Sequence, residues 1–223
     1  YETYLWDDVF YAAPRRLYGF LTKEELLYKI QQRTERKDIR IAKVNENIAG
    51  RHYQKQAIKQ IAESWLVSDA SEKGFRGSGR KSLLVMATGS GKTRTAAALV
   101  SVLVKNGWAK KVLFLADRNA LVTQAKRSFG EHLKQYTSID LTQDKEAANT
   151  RLVFSTYPTM MNRIDAFQNG ERLYGVGHFD LIIVDEAHRS VYNKYQAIFD
   201  YFDALLVGLT ATPKKNIDAN TYE

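Results

Sequence analysis

The sequence has 223 residues, of which 44% are hydrophobic and 26% are charged, as expected for a globular protein with one sizeable core. It contains no cysteine, which excludes disulfide bonds and thiolate metal sites and fits a reducing compartment, so we expect a cytoplasmic protein. No apolar run approaches the roughly 20 residues that a membrane span needs, so we expect no membrane partner. The net charge of +8 and the pI near 9.5 favour a polyanionic partner such as nucleic acid, although charge alone does not establish one.

The sequence divides into two predicted parts, a helical connector over residues 1–49 and a single domain over residues 50–223. The chain begins at Tyr1 without an initiator methionine, and we expect it to be a piece of a longer protein. Thr22 and Glu25 have the spacing of a capping box, which predicts that a helix starts here. We expect the connector to pack on the domain rather than to fold by itself.

The predicted connector helix carries apolar and charged side chains that we assign to different surroundings. We expect it to turn three apolar side chains inward, those of Leu26, Leu27 and Ile30. The charged run over residues 31–43 follows, and we interpret it as a solvated helical face.

From residue 53 onward, short aliphatic runs alternate with helical patterns. A first helix is predicted by five apolar residues at helical spacing, namely Ala57, Ile58, Ile61, Ala62 and Trp65. Residues 68–80 are rich in glycine and serine and predict a polar loop. The predicted strands that follow are Ser82–Met86, Lys111–Ala116, Leu152–Ser155, Leu181–Val184 and Leu205–Leu209. The predicted helices between them are Thr93–Lys105, Asn119–Leu133, Pro158–Phe167 and Asn193–Asp203.

These strands lack the alternation of apolar and polar residues that a half-exposed strand shows. Strands without it are buried on both faces, and their alternation with helices indicates parallel pairing. The sequence therefore predicts an α/β domain with a mostly parallel sheet covered by helices on both faces.

The stretch Met86-Ala-Thr-Gly-Ser-Gly-Lys-Thr93 follows a predicted strand and opens a predicted helix, which is the setting of a phosphate-binding loop. The residues predicted to bind the phosphates of ATP are Thr88, Gly89, Ser90, Gly91, Lys92 and Thr93. Lys92 would reach the β- and γ-phosphates, and the Thr93 hydroxyl would hold Mg²⁺. The generic pattern has glycine at the position of Met86, which is the one departure.

Two adjacent carboxylates, Asp185 and Glu186, directly follow the predicted buried strand Leu181–Val184. Ligands of open parallel sheets bind at the carboxyl ends of the strands, so the pair is expected at the same edge as the phosphate-binding loop. Asp185 would hold Mg²⁺ together with Thr93, and Glu186 would orient or deprotonate the attacking water. The structural alternative is an acidic pair that caps a helix.

Four motifs in this order resemble those of the first motor domain of superfamily 2 helicases and translocases. They are Arg51-His-Tyr-Gln54, Ala87-Thr-Gly-Ser-Gly-Lys-Thr93, Asp185-Glu-Ala-His188 and Thr210-Ala-Thr212. The resemblance covers roughly residues 50–214 and implies a RecA-like P-loop NTPase fold that uses ATP and Mg²⁺.

The resemblance also implies roles for the flanking motifs. Gln54 would bind the adenine edge, because an amide donates and accepts at once, and Arg51 and Tyr53 would frame the base. The residues that would couple the phosphate state to movement of nucleic acid are His188, Thr210 and Thr212. The alternative for Tyr53 and Gln54 is that they are ordinary surface residues of a helix, and the alternative for His188 is a structural role.

Other stretches resemble the R subunits of type I restriction enzymes. They are Phe114-Leu-Ala-Asp-Arg-Asn-Ala-Leu121, Phe154-Ser-Thr-Tyr-Pro-Thr-Met-Met-Asn162 and Asp185-Glu-Ala-His-Arg-Ser190. This family implies a motor that pumps double-stranded DNA with ATP, partnered by methyltransferase and specificity subunits and by a second motor domain in the same chain. The family's nuclease activity would lie in a domain that this sequence does not include.

The resemblance places the loops after two strands against DNA. The candidates for contacts with the DNA backbone are Arg118, Asn119, Thr156 and Tyr157. Arg118 has an alternative role as an exposed partner of Asp117.

Three other functions are compatible with parts of the sequence. Another superfamily 2 DNA or RNA helicase would share the four motifs but not the stretches typical of type I R subunits. A GTPase or small-molecule kinase would share only the phosphate-binding loop, and the guanine-reading Asn-Lys-x-Asp element is replaced by Asn193-Lys-Tyr-Gln196. A non-catalytic module that binds nucleotide and nucleic acid would not need the intact acidic pair.

Overall fold

The computed structural model describes residues 2–168, 170–187 and 189–212. The strands are β1 (Thr3–Leu5), β2 (Arg15–Leu17), β3 (Leu66–Ser68), β4 (Phe75–Gly77), β5 (Lys81–Val85), β6 (Val112–Ala116), β7 (Ser138–Asp140), β8 (Leu152–Thr156), β9 (Phe167–Gln168), β10 (Glu171–Arg172), β11 (Leu181–Val184) and β12 (Leu205–Thr210). The α-helices are α1 (Lys23–Glu35), α2 (His52–Trp65), α3 (Lys92–Lys105), α4 (Asn119–His132), α5 (Tyr157–Ile164) and α6 (Arg189–Tyr201).

The central sheet has six strands in the order β5-β12-β11-β6-β8-β7, and all neighbouring pairs are parallel. In the middle of the sheet, Ile183 of β11 lies opposite Phe114 of β6 and Val207 of β12. Parallel strands need crossover connections. Helix α6 lies in the connection between the neighbouring strands β11 and β12, and α3, α4 and α5 lie in connections between strands that are further apart in the sheet. The predicted α/β architecture is confirmed.

Side chains of the sheet alternate between two apolar clusters, one on each face. Phe114 and Ile183 belong to the cluster that also contains buried residues of α2, α3 and α4. Leu115 and Ile182 belong to the cluster that contains buried residues of α5 and α6. The two faces explain why the strand sequences are apolar at every position rather than at every second one.

The bounds of the central elements agree well with those predicted from the sequence. The predicted strand over residues 181–184 is confirmed, and the other four predicted strands are displaced by at most one residue at either end. The predicted helix over residues 158–167 already ends at Ile164, and the one over residues 193–203 begins at Arg189.

The start of α1 is confirmed, but its buried face was predicted wrongly. The Thr22 hydroxyl accepts a hydrogen bond from the Glu25 amide (3.2 Å), and the Glu25 carboxylate accepts one from the Thr22 amide (2.9 Å). The three side chains expected inside are instead exposed, namely Leu26, Leu27 and Ile30. The buried position of α1 is Gln32, whose amide donates to the Trp108 carbonyl oxygen at 3.2 Å.

The charged run over residues 31–43 is not one solvated helical face. Helix α1 ends at Glu35, and the guanidinium group of Arg36 lies 4.8 Å from the ring of Phe10 and 5.1 Å from that of Trp108. A cation over aromatic faces is favourable when it is partly desolvated. The run therefore contributes to packing between the connector and the domain.

Two short hairpins also depart from the sequence prediction. In the connector, β1 pairs with β2 in antiparallel register, so residues 1–49 are not purely helical. Within the expected polar loop over residues 68–80, β4 pairs with β3 and buries Phe75 against Phe10, with ring centroids 6.0 Å apart. Because Phe10 lies in the same core cluster as the sheet, the division at residue 49 stays a prediction.

A buried cluster of charges joins the connector to the sheet. The carboxylate of Asp203, just before β12, forms ion pairs with Arg15 of β2 (2.6 Å), Lys29 of α1 (2.9 Å) and Arg80 beside β5 (2.8 Å). The Asp203 side chain is only 3% exposed. We call these four residues the Asp203 cluster.

Among the described helices, none combines the length and the apolar character that crossing a bilayer requires.

Candidate functional site

The phosphate-binding loop connects the carboxyl end of β5 to the first residue of α3. Met86 continues the sheet, because its amide donates to the Thr210 carbonyl oxygen at 2.9 Å. Gly91 caps α3 with φ of +90°, a conformation that favours glycine, and a Cβ at this position would lie 2.7 Å from Nε2 of Gln54. Since α3 begins at Lys92, its free amides face this loop, as the binding of a phosphate requires.

The start of α2, which carries the first motif, lies against this loop. The Tyr53 hydroxyl donates to the Ser90 carbonyl oxygen at 2.8 Å, and the Arg51 guanidinium donates to the Tyr53 hydroxyl at 2.7 Å. The Gln54 amide also reaches the Ser90 carbonyl oxygen, at 3.4 Å, and its side chain is buried. These contacts bring Arg51, Tyr53 and Gln54 together beside the loop, while their contact with adenine stays a prediction.

The acidic pair follows β11 at the same edge of the sheet. The Asp185 amide donates to the Leu115 carbonyl oxygen of β6, and the Ala187 amide donates to the Leu209 carbonyl oxygen of β12, both at 2.8 Å. Between them Glu186 has φ of +50°, which is uncommon for a residue with a side chain. The pair therefore lies in a tight turn held by both neighbouring strands.

The electrostatic surroundings of the acidic pair suit the binding of a divalent cation. Burial raises the pKa of the Asp185 carboxyl, and the adjacent Glu186 charge raises it further. The hydrogen bond from the Glu186 amide and the charge of Lys92 act in the opposite direction without cancelling the rise. Among the side chains that the structure describes, none forms an ion pair with Asp185. The ammonium of Lys92 approaches Glu186 at 3.9 Å. The carboxylates of the pair are oxygen ligands of the kind that Mg²⁺ prefers, and they lie beside Lys92 at the start of α3.

Of the remaining predicted residues, those that the structure describes lie at the start of α3 and at the end of β12. Thr93 follows Lys92 in the first turn of α3 and is half-buried. Thr210 ends β12, is buried, and directs its hydroxyl to the Thr212 carbonyl oxygen at 3.4 Å. The Thr210 carbonyl oxygen accepts the hydrogen bond from the Met86 amide, so the fourth motif, Thr210-Ala-Thr212, is tied to the start of the phosphate-binding loop. His188 lies outside the described residues.

The four candidates for DNA contact fall into two groups. Arg118 and Asn119 are exposed after β6, and the Arg118 guanidinium lies 3.8 Å from the Asp117 carboxylate, so its alternative role is also present. The prediction is wrong for the side chains of Thr156 and Tyr157, which are 6% and 0% exposed. Thr156 caps α5, and the Tyr157 hydroxyl donates to the Asp185 carbonyl oxygen at 2.8 Å. Burial leaves them no surface for a DNA backbone.

One residue of the site was missed by the sequence prediction. Gly208 of β12 lies under the turn of the acidic pair, and a Cβ there would lie 2.8 Å from Cβ of Ala187 and 3.0 Å from Cδ1 of Leu83. Only a glycine admits this approach without movement of the turn. The signal was available, since a single glycine inside an aliphatic strand marks a close approach.

Comparisons with known proteins identify the family of this chain. The model of the family described as "Type III restriction enzyme, res subunit" matches residues 47–215. The type I restriction enzyme EcoAI endonuclease subunit of Escherichia coli is 35% identical over 78% of this chain, which covers 20% of that protein. The EcoKI endonuclease subunit of E. coli K12 is 31% identical over 73% of this chain, which covers 15% of that protein. The predicted resemblance to type I R subunits is confirmed.

A solved structure shows the fold. The nuclease-deletion mutant of the type ISP restriction-modification enzyme LlaGI, in complex with a DNA substrate mimic, matches 78% of this chain with a TM-score of 0.54. The identity is 24%, and the match covers 19% of that chain. The predicted RecA-like fold is thereby confirmed. This chain spans about a fifth of the length of the relatives that it matches.

Proposed function

We propose, from the premise that the chain belongs to the type III restriction enzyme res subunit family, that it is the ATP-binding motor domain of a DNA translocase. In this proposal the domain belongs to the restriction subunit of a type I restriction-modification enzyme. The proposal is supported by the relatives, which are endonuclease subunits of such enzymes. It is also supported by the arrangement of the candidate site.

The main support for the proposal is that the phosphate-binding loop and the acidic pair, which are far apart in the sequence, lie close together in the structure. Lys92 of the phosphate-binding loop and Glu186 of the acidic pair lie with their charged atoms 3.9 Å apart at the carboxyl edge of the sheet. This is the place where open parallel sheets bind ligands. A helix cap would explain the carboxylates but not a lysine beside them at the start of another helix.

In the proposed reaction each residue has one task. The amides of the loop and the ammonium of Lys92 bind the phosphates of ATP, and Thr93 and Asp185 hold Mg²⁺. Bound Mg²⁺ supplies positive charge that offsets the charge of the phosphates. Glu186 orients the attacking water and accepts its proton. Gln54, Tyr53 and Arg51 bind the base.

We further propose double-stranded DNA as the substrate that the motor moves, with Arg118 and Asn119 on its backbone. The net charge of +8 favours such a partner. The second motor domain, the methyltransferase subunits and the specificity subunit are proposed partners by resemblance to the family. By resemblance to the family, the second motor domain would supply an arginine finger, and such a finger contributes about 10³–10⁵-fold in related phosphoryl transfer. We therefore expect this chain alone to hydrolyse ATP slowly.

Nucleotide binding tests the proposal. We expect wild type to bind a nonhydrolysable ATP analogue with Mg²⁺, and Lys92→Ala to weaken binding at least about tenfold, because a charge-assisted phosphate contact is lost. Lys105→Ala, at the exposed far end of α3, is the matched control and should bind like wild type. Equal affinity of Lys92→Ala and Lys105→Ala, measured by calorimetry, would contradict the proposal.

A further inference from the structure

We infer that Tyr157 is a positioning residue for the acidic pair: its hydroxyl fixes the Asp185 carbonyl and thereby the turn that presents both carboxylates. The inference deepens the proposed function and rests on it. Tyr157 begins α5 at the end of β8 and is completely buried, with its hydroxyl 2.8 Å from the Asp185 carbonyl oxygen.

The turn needs such a constraint because its backbone is unusual. Glu186 is the residue other than glycine with a positive φ among those that the structure describes. Conformations of this kind persist when the surrounding structure determines them from several sides. The neighbouring strands hold the amides of Asp185 and Ala187, which lie on either side of Glu186.

Those two hydrogen bonds do not fix the orientation of the peptide group between Asp185 and Glu186. They fix amide groups, whereas the peptide plane between Asp185 and Glu186 is set by the Asp185 carbonyl and the Glu186 amide. The Glu186 amide donates to the Asp185 carboxylate at 3.1 Å, so the same plane orients a carboxylate oxygen. Tyr157 holds the other end of this plane through the carbonyl. Rotation of the plane would therefore move the Asp185 oxygens that are proposed to bind Mg²⁺.

The ring of Tyr157 is itself held in place. It stacks on the ring of Tyr195 from α6, with centroids 4.9 Å apart and an interplanar angle of 12°. Both rings are buried in the cluster beneath the second face of the sheet. Few rotamers are open to a ring in this packing, so the hydroxyl is directed at the carbonyl before any ligand binds.

A second buried tyrosine offers a matched control. The Tyr201 hydroxyl donates to the Tyr174 carbonyl oxygen at 2.5 Å, inside the same cluster and away from the acidic pair. Tyr157→Phe and Tyr201→Phe each remove one buried hydroxyl bonded to a backbone carbonyl. A purely structural role of Tyr157 predicts similar losses of stability and no other difference between the variants.

The experiment measures how much Mg²⁺ is needed for half-maximal binding of a nonhydrolysable ATP analogue. We expect Tyr157→Phe to raise this concentration about two- to tenfold, the effect of one misplaced hydrogen bond, and Tyr201→Phe to leave it unchanged. Urea unfolding should show that both variants are folded. Tyr195→Leu removes the stacking partner of Tyr157 but keeps the Tyr157 hydroxyl. It should raise the Mg²⁺ concentration for half-maximal binding by less than Tyr157→Phe does.

The outcomes separate this inference from the proposed function. Wild type that binds the analogue with no dependence on Mg²⁺, or not at all, overturns the proposed function and the inference with it. Wild type that depends on Mg²⁺ while Tyr157→Phe matches Tyr201→Phe overturns only the positioning role. A shift confined to Tyr157→Phe and Tyr195→Leu supports it.

Discussion

Two aspartates at opposite ends of neighbouring strands, Asp203 buried and Asp185 half-buried, have very different surroundings. Asp203 lies before the amino end of β12, where three cationic side chains contact its carboxylate at 2.6–2.9 Å. Asp185 lies after the carboxyl end of β11, where it accepts a hydrogen bond from the Glu186 amide. The cations hold the pKa of the Asp203 carboxyl well below its usual range despite burial, whereas burial raises the pKa of the Asp185 carboxyl.

The difference separates a carboxylate that stabilises the fold from one that is available for a ligand. A buried charge is stable when oppositely charged partners surround it, and the protein supplies those partners for Asp203. Among the described side chains it supplies none at ion-pair distance for Asp185. We infer that the partner of Asp185 comes with the nucleotide.

The largest expected effect is on stability, from Asp203→Asn. The substitution would leave the positive charges of the Asp203 cluster buried without compensation, so the free energy of unfolding should fall by about 3–5 kcal/mol. Urea unfolding at neutral pH measures it. Asp144→Asn, at an exposed position, is the control and should change stability by less than about 0.5 kcal/mol. A loss below about 1 kcal/mol for Asp203→Asn would mean that the cluster does not stabilise the connector.

Acid should weaken the same cluster. Because the folded pKa of Asp203 is depressed, its contribution is complete above the unfolded value of about 3.9 and is lost as pH falls toward the folded value. The stability difference between wild type and Asp203→Asn should therefore shrink by about 1 kcal/mol between pH 7 and pH 3. Urea unfolding of both proteins across this range measures the change. A difference that stays constant or grows toward pH 3 would contradict the assignment.

The smallest expected effect on stability is that of Asp185→Asn without nucleotide. The asparagine can keep the bond from the Glu186 amide while it removes a desolvated charge, so stability should stay constant or rise by up to about 1 kcal/mol. Thermal unfolding without ligand measures the change, with Asp203→Asn as the contrasting variant. A loss of about 2 kcal/mol or more would show that Asp185 is a structural residue like Asp203.

The elements that lie at the centre of the sheet were predictable because their signals are local. Runs of four or more apolar residues predicted β6 and β11 to within one residue, and glycines next to a lysine indicated the phosphate-binding loop. The place of the acidic pair at the carboxyl end of β11 was predictable because the pair directly follows an apolar run. These inferences use neighbours in the sequence and little else.

The failures concern contacts between residues far apart in the chain. The capping box predicted the start of α1 correctly. Which face is buried depends on the hydrogen bond from the Gln32 amide to the Trp108 carbonyl oxygen, so Gln32 rather than Leu26 faces inward. Tyr157 was assigned to DNA because it follows a strand end, whereas stacking on Tyr195 directs its hydroxyl to Asp185. Such choices depend on packing between helices, which the pattern of a single segment does not contain.

The dependence of nucleotide binding on Mg²⁺, in wild type and Asp185→Asn, tests the central claim most directly. Calorimetric titration with a nonhydrolysable ATP analogue, with and without Mg²⁺, measures it. We expect Mg²⁺ to strengthen binding to wild type at least about tenfold and to have little effect on Asp185→Asn, because the carboxylate that meets the ion is gone. If Mg²⁺ strengthens binding to both proteins equally, the acidic pair does not hold the metal, and the proposed site is wrong.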